Sequence, residues 1–302
     1  MEPGEVCEAG HDTTDLHYVE TGMFEIEEYS SVYLLDAEEP AVVETGIGTE
    51  WKLIVDAMES VGIDPEELSY VAPTHVHLDH AGGAGHLAAA CPNAEVLVHE
   101  IGASHLVDPG RLWAGTKRAV GDQIRHYAEP EPVPEERIRT VADGDVVDLG
   151  DHELSVHHAP GHAPHQVVYH DPANEAVFTA DAAGIYVPEL DAVKQTTPPP
   201  NFDFPQAIED TRTIARLDPS VLCYSHFGPV PTDDRLGEHE RVLTAFVELV
   251  EERRGRLGDD EAVIERFVEE TELVGPWNED RARAVAAMDV RGVLRYLDTR
   301  GE

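Results

Sequence analysis

At 302 residues, 41% of them hydrophobic, the chain is long enough for one large domain with an appendage. No apolar run approaches the roughly 18 residues a membrane helix needs, so no membrane partner is expected. The 61 acidic and 21 basic side chains give a net charge of −40, which repels phosphate and argues against a nucleic-acid partner. Reading from the N-terminus, segments 23–28, 31–36 and 41–45 alternate apolar and polar residues as half-buried strands do, and suggest an antiparallel meander. Trp51, Leu53, Ile54, Val55, Ala57, Met58 and Val61 recur at helical spacing, with Gly62 as the stop. A strand over 70–73, a helix over 81–90, a strand over 94–99 and interrupted helix over 101–130 follow.

A second strand-rich half begins near Thr140, turns at Asp143-Gly144-Asp145, and continues with strands at 154–158, 166–169 and 176–179. Two halves of similar make-up suggest structural duplication. Residues 188–204 contain Pro198-Pro199-Pro200, which cannot continue a helix because proline lacks the amide donor, so this stretch reads as an irregular loop serving as lid or wall. The pattern then gives a helix over 204–217, a buried strand over 221–225 and helices from Thr232 onward, broken at 255–260 and 275–278. The chain thus divides into a main unit over 1–231 and a helical extension over 232–302. Val242, Leu243, Phe246, Val247 and Val250 are spaced to pack on that unit or on a second copy, making a homodimer conceivable.

The acids are scattered and the cations are nearly all arginine, with Lys only at positions 52, 117 and 194. Such a composition resembles that of proteins from salt-accumulating, haloarchaeal-type cytoplasm, where about 1 M salt shortens the Debye length to roughly 3 Å. Met1-Glu2-Pro3-Gly4-Glu5 has neither a basic n-region nor an apolar h-region, so a cytoplasmic location is expected. Cys7, Cys91 and Cys223 show no CxxC pairing and fit reduced thiols.

The densest chemical signal is Thr74-His75-Val76-His77-Leu78-Asp79-His80, directly after an apolar strand. In extended backbone, side chains two apart point the same way, so His75 and His77 can face one metal. Asp79 and His80 fall where the chain turns into a helix and can address a neighbouring position. Neutral imidazoles suit zinc, and a carboxylate adds a hard, charge-compensating oxygen. Three further donors, His162 in Pro160-Gly161-His162, Asp181 and His226, each follow the C-terminal end of a predicted strand.

HxHxDH at 75–80 followed by His162, Asp181 and His226 resembles the metallo-β-lactamase superfamily over roughly 23–231. The resemblance implies an α/β fold: an αββα sandwich of two mixed β-sheets flanked by helices, here with a C-terminal helical extension. It also implies that His75, His77 and His162 bind one metal, that Asp79, His80 and His226 bind a second, and that Asp181 bridges them. Two features depart from the family pattern. Glu44 stands where many members have aspartate, and Ala163-Pro164-His165-Gln166 replaces the Thr-x-Gly-Ser run usual in glyoxalase II-like members. His165 is a candidate substrate or supporting residue. Tyr186 is a candidate donor to a substrate oxygen.

The implied activity is hydrolysis of a small thioester or ester at two Zn2+ ions, with Fe or Mn as alternative metals. Asp79 would orient the attacking water or take its proton. A thiolate leaving group needs little protonation, which suits a site without an obvious separate acid. Competing readings are a mononuclear iron sulfur (persulfide) dioxygenase, a lactonase or β-lactamase-like hydrolase, and a non-catalytic metal-binding scaffold. In every catalytic version the partner is a small-molecule substrate.

Overall fold

The computed structural model describes residues 1–300. In the first sheet, spatial and chain order coincide: β1 (Val6–Glu8), β2 (Leu16–Glu20), β3 (Ser31–Leu35), β4 (Ala41–Val43), β5 (Tyr70–Ala72), β6 (Glu95–His99) and β7 (Ile138–Val141). Strands β1 to β4 form an antiparallel meander, whereas β4 to β7 pair in parallel. Parallel neighbours need crossovers. These are α1 (Trp51–Ser60), the pair α2 (Leu78–Ala81) and α3 (Ala84–Ala90), and the pair α4 (Glu100–Val107) and α5 (Gly110–Val120).

The chain then runs through β8 (Val146–Asp148), β9 (Glu153–His158), β10 (Val167–Asp171) and β11 (Ala176–Ala180). A two-stranded ribbon of β12 (Ile185–Val187) and β13 (Ala192–Lys194) and helix α6 (Phe204–Arg216) precede β14 (Val221–Tyr224) and β15 (Gly228–Pro231). The second sheet has the order β15-β14-β11-β10-β9-β8, with β11 and β14 parallel and the remaining pairs antiparallel. The result is the expected layered sandwich of two mixed sheets flanked by helices.

Strand periodicity explains the layers. Along β3, Tyr33 and Leu35 point into the space between the sheets, where they meet Leu97, Tyr169, Phe178 and Cys223. Val32 and Leu34 point outward under Ile54, Met58 and Leu87 of α1 and α3. Both faces are covered, so β3 is buried throughout. Truncating such a residue, for example Leu34→Ala, costs about 2–5 kcal/mol.

The tail comprises α7 (Arg235–Leu257), α8 (Asp260–Glu270) and α9 (Glu279–Thr299). Leu243, Val247 and Val250 of α7 pack on Val263 and Ile264 of α8 and on Val290, Val293 and Leu294 of α9, together with Phe202. The tail does not stand apart from the sandwich. A side chain added at Gly292 would come within 1.7 Å of the Thr197 carbonyl oxygen, so α9 lies backbone against backbone on the proline-rich loop.

Three local expectations need correction. Residues 23–28 are not a strand: Met23–Glu25 form a 3-10 turn whose Met23 and Phe24 pack with Ile26, Tyr29, Tyr127 and Trp277 rather than pairing with a sheet. The meander begins earlier, at β1 and β2, which are short and carry polar residues that hide their alternation. Within 188–204, Ala192–Lys194 forms a strand paired with Ile185–Val187, so that stretch is partly ordered ribbon. No helix among the described residues is long and apolar enough to cross a membrane, and the three cysteines are free.

Candidate metal centre

Strands β5, β11 and β14 all end at one rim of the sandwich, and each delivers part of the cluster. His75 and His77 follow β5, Asp79 and His80 lie in the first turn of α2, Asp181 directly follows β11, and His226 lies two residues beyond β14. His162 enters on the turn after β9, where Gly161 is obligatory: a Cβ there would lie 2.2 Å from the Ala207 amide nitrogen. A register shift between Phe178 and Ala180, with Ala180 at φ 50°, re-aims the chain just before Asp181. The Val167 amide donates to the Thr74 carbonyl at 2.9 Å and ties the two halves together beside the site.

The structure brings all seven predicted donors into one cluster. His75, His77 and His162 offer ligand atoms within 4.8 Å of one another, as do Asp79, His80 and His226. His77 Nδ1 lies 3.0 Å from His75 Nε2 and 3.1 Å from His162 Nε2. Asp181 Oδ2 stands between the two trios, 3.1 Å from His162 Nε2 and 3.6 Å from His80 Nε2. On the other side, Asp79 Oδ2 and His226 Nε2 are 3.9 Å apart.

Supporting contacts fix which nitrogen faces inward. Glu44, buried and at φ 72°, accepts from the Thr74 hydroxyl at 2.6 Å, from the Ser225 hydroxyl at 2.7 Å and from His80 Nδ1 at 3.0 Å. One carboxylate thereby pins the loop after β5, the end of β14 and the His80 ring. His226 Nδ1 donates to the Tyr29 carbonyl at 3.0 Å, which turns its Nε2 toward Asp79. Partners of this kind orient metal-binding imidazoles.

Burial lowers the proton affinity of His75, His77, His162 and His226, and for His77, with His162 beside it, to about 3. These four rings are neutral at physiological pH. Burial would raise Asp181 and Asp79, but His162 and His80 outweigh it at Asp181, and His80 and His226 do so at Asp79, so both stay ionised. His80 is the exception: burial would lower it, yet Glu44 and Asp181 lift it well above its ordinary value. His80 Nε2 and Asp181 Oδ1 are buried without a hydrogen-bond partner. Lone pairs, ionised carboxylates and orphaned polar atoms converging on one spot fit divalent cations, with a cation replacing the proton at His80.

His77, Asp79, His162, Asp181 and His226 form the floor of a pocket of about 760 Å3, including its mouth, and His75 and His80 are fully buried outside its lining. Leu78, Val120, Ile185, Val285 and Met288 give it apolar walls, and Tyr29, Tyr127, Arg281 and Asp289 add polar groups. The last two come from α9, beyond the region of family resemblance. Periodicity alone gave no sign of them. Tyr186 is not brought to this pocket: its hydroxyl donates to exposed Asp191 at 2.9 Å, and Arg235 lies 4.9 Å over its ring. His165 sits behind the floor, its ring stacked 6.0 Å from His75, and accepts from the Val76 amide at 3.4 Å.

Residues 26–226 match the family model of the metallo-beta-lactamase superfamily. The chain belongs to that superfamily. It is 26% identical over 223 residues to a metallo-beta-lactamase fold-containing protein of Sulfurisphaera tokodaii, covering 71% of this chain and 79% of the relative. It is 27% identical over 183 residues to an acyl-coenzyme A thioesterase of Gallus gallus, covering 55% of this chain and 62% of the relative. The crystal structure of an archaeal superfamily protein from Sulfolobus tokodaii superposes with a TM-score of 0.71 at 21% identity, over 93% of this chain and 99% of that one.

Proposed function

We propose that this protein is a dinuclear zinc hydrolase that cleaves a small acyl thioester or ester. One observation carries the reading: two trios of nitrogen and oxygen donors, with Asp181 between them, converge at the floor of a pocket with otherwise largely apolar walls, which five of the seven line. His75, His77 and His162 would hold one ion, Asp79, His80 and His226 the other, and Asp181 both. When bound, such ions supply Lewis-acid polarisation of a carbonyl and activation of water near neutral pH.

The chain's own residues do the rest. Asp79, ionised and the less buried of the two carboxylates, lines the pocket, which supports a role in orienting the attacking water and accepting its proton. Glu44 and the Tyr29 carbonyl hold the His80 and His226 rings in the inward orientation. Leu78, Ile185 and Val285 accommodate the acyl chain and exclude water around the carbonyl. The similarity to an acyl-coenzyme A thioesterase supports the thioester end of this substrate range.

The test is a panel of acyl thioesters, esters, lactones and phosphodiesters presented to protein stripped of metal and reloaded with zinc, manganese or iron. Zinc-dependent turnover of thioesters or esters is expected. Oxygen consumption with one iron per chain would replace this reading with a sulfur dioxygenase, and silence across the panel with metal bound would replace it with a scaffold.

A further inference from the structure

Beside the metal pocket lies a second cavity that shares Ala119, Val120, Pro199, Arg281 and Met288 with it. Arg118 from the last turn of α5 and Arg291 from α9 also line it, and its lining contains no carboxylate. In a chain with 61 acids and 21 cations, three arginines around one acid-free cavity are an anomaly. Most of the other arginines reach a carboxylate within 4.0 Å. Among the described residues, Arg118, Arg281 and Arg291 do not.

Arg281 is the sharpest case because it is buried. Its Nε and Nη2 both donate to the Tyr29 hydroxyl, at 2.9 and 2.5 Å, and its guanidinium carbon lies 3.8 Å from the centroid of the Phe24 ring. The Tyr127 hydroxyl and, from farther off, the Asp79 carboxylate also act on its charge. A buried cation is ordinarily paired, because leaving it uncompensated costs several kcal/mol. Salt screens exposed charges such as Arg118 and Arg291 but does little for a buried one. No carboxylate among the described residues lies within 4.0 Å of Arg281, so a ligand anion is expected to complete its pairing. The cavity adjoins the reaction pocket, with five lining residues in common, so the far end of a substrate held there is within reach of it.

We propose that Arg118, Arg281 and Arg291 form a subsite for a phosphate-bearing thiol carrier, so that the natural substrate is an acyl thioester of a phosphorylated thiol. This rests on the hydrolase reading above. Guanidinium groups present several N–H donors in a fixed fork suited to phosphate oxygens, and three of them match a multiply charged group better than a single carboxylate. An anionic substrate approaching a molecule of charge −40 also needs a local positive field at the pocket mouth.

The experiment compares butanoyl-coenzyme A with the butanoyl thioester of N-acetylcysteamine, which lacks phosphate, in zinc-loaded wild type and Arg118→Ala/Arg291→Ala. The ratio of kcat/KM for the phosphorylated over the neutral thioester is expected to fall about tenfold or more in the double variant, chiefly through KM. Arg111→Ala/Arg295→Ala, an equal charge change on the same two helices outside both cavities, controls for net charge. An unchanged ratio in the Arg118→Ala/Arg291→Ala variant, or the same fall in Arg111→Ala/Arg295→Ala, overturns the subsite. So does a greater loss for a succinyl thioester of N-acetylcysteamine, which would assign the arginines to an acyl carboxylate. If neither thioester is turned over, the hydrolase reading fails separately, and calorimetric titration of coenzyme A into metal-free protein still decides. Saturable binding weakened about tenfold or more in Arg118→Ala/Arg291→Ala supports the subsite, and absent or equal binding overturns it.

Discussion

The floor of the pocket comes from sheet ends in the first 226 residues, and part of its roof comes from α9, the last helix of the tail. On the floor, carboxylates and imidazoles converge: His80 stands between Glu44 and Asp181, and His162 faces Asp181. On the roof, Arg281 has only a tyrosine hydroxyl and aromatic rings, and Asp289 has only neutral donors, the Thr197 amide at 2.9 Å and the Gln195 side chain at 3.2 Å. A floor buttressed by two cores leaves little room for change. The roof adds Arg281, Val285, Met288 and Asp289 from a single helix and contributes no donor to the cluster.

The largest expected effect is on the floor, from a single methyl group. Gly161→Ala places a Cβ 2.2 Å from a backbone nitrogen and must displace the turn carrying His162. Turnover should fall by about a hundredfold or more, together with metal content, since a displacement of about 1 Å already costs that much. Full metal occupancy in this variant would show that the turn and the centre are not coupled as described. Next is Glu44→Gln, which preserves size but removes the charge that holds Thr74, Ser225 and His80 together. Competition with a chelator should reveal about 10- to 100-fold weaker metal binding. Unaltered affinity would reduce Glu44 to a packing residue.

The smallest effect is on the roof. Burial pushes the Asp289 carboxyl up from its ordinary 3.8 to about 7. Between those values the folded protein keeps a proton that the unfolded chain releases, so the neutral form stabilises fully at low pH. That contribution is lost as pH rises toward about 7. Asp289→Asn cannot ionise, so its melting temperature relative to wild type should climb by several degrees between pH 4 and pH 7. A pH-independent difference would mean that Asp289 is ionised throughout.

The floor was legible in the sequence because its chemistry is compressed into short words: HxHxDH, PGH, and single donors just beyond apolar strands. Strand ends are also where a parallel-paired sheet gathers residues distant in the chain. The roof was not legible. Arg281 lies in Glu279-Asp280-Arg281-Ala282-Arg283, the first turn of a helix that reads as a solvated end, and is buried only because α9 packs on Phe24 and Tyr29. The misread strand at 23–28 has the same origin. Its alternating apolar residues serve a cluster with Tyr127 and Trp277, a tertiary partner that period-two spacing cannot distinguish from a neighbouring strand.

The central claim is that seven side chains form two cation positions joined by Asp181, and metal counting across variants tests it most directly. Wild type reloaded with zinc should bind two ions per chain, with His77→Ala and His226→Ala each retaining a different one. Two ions retained in both variants, or a single ion in wild type that both variants abolish, would contradict the assignment.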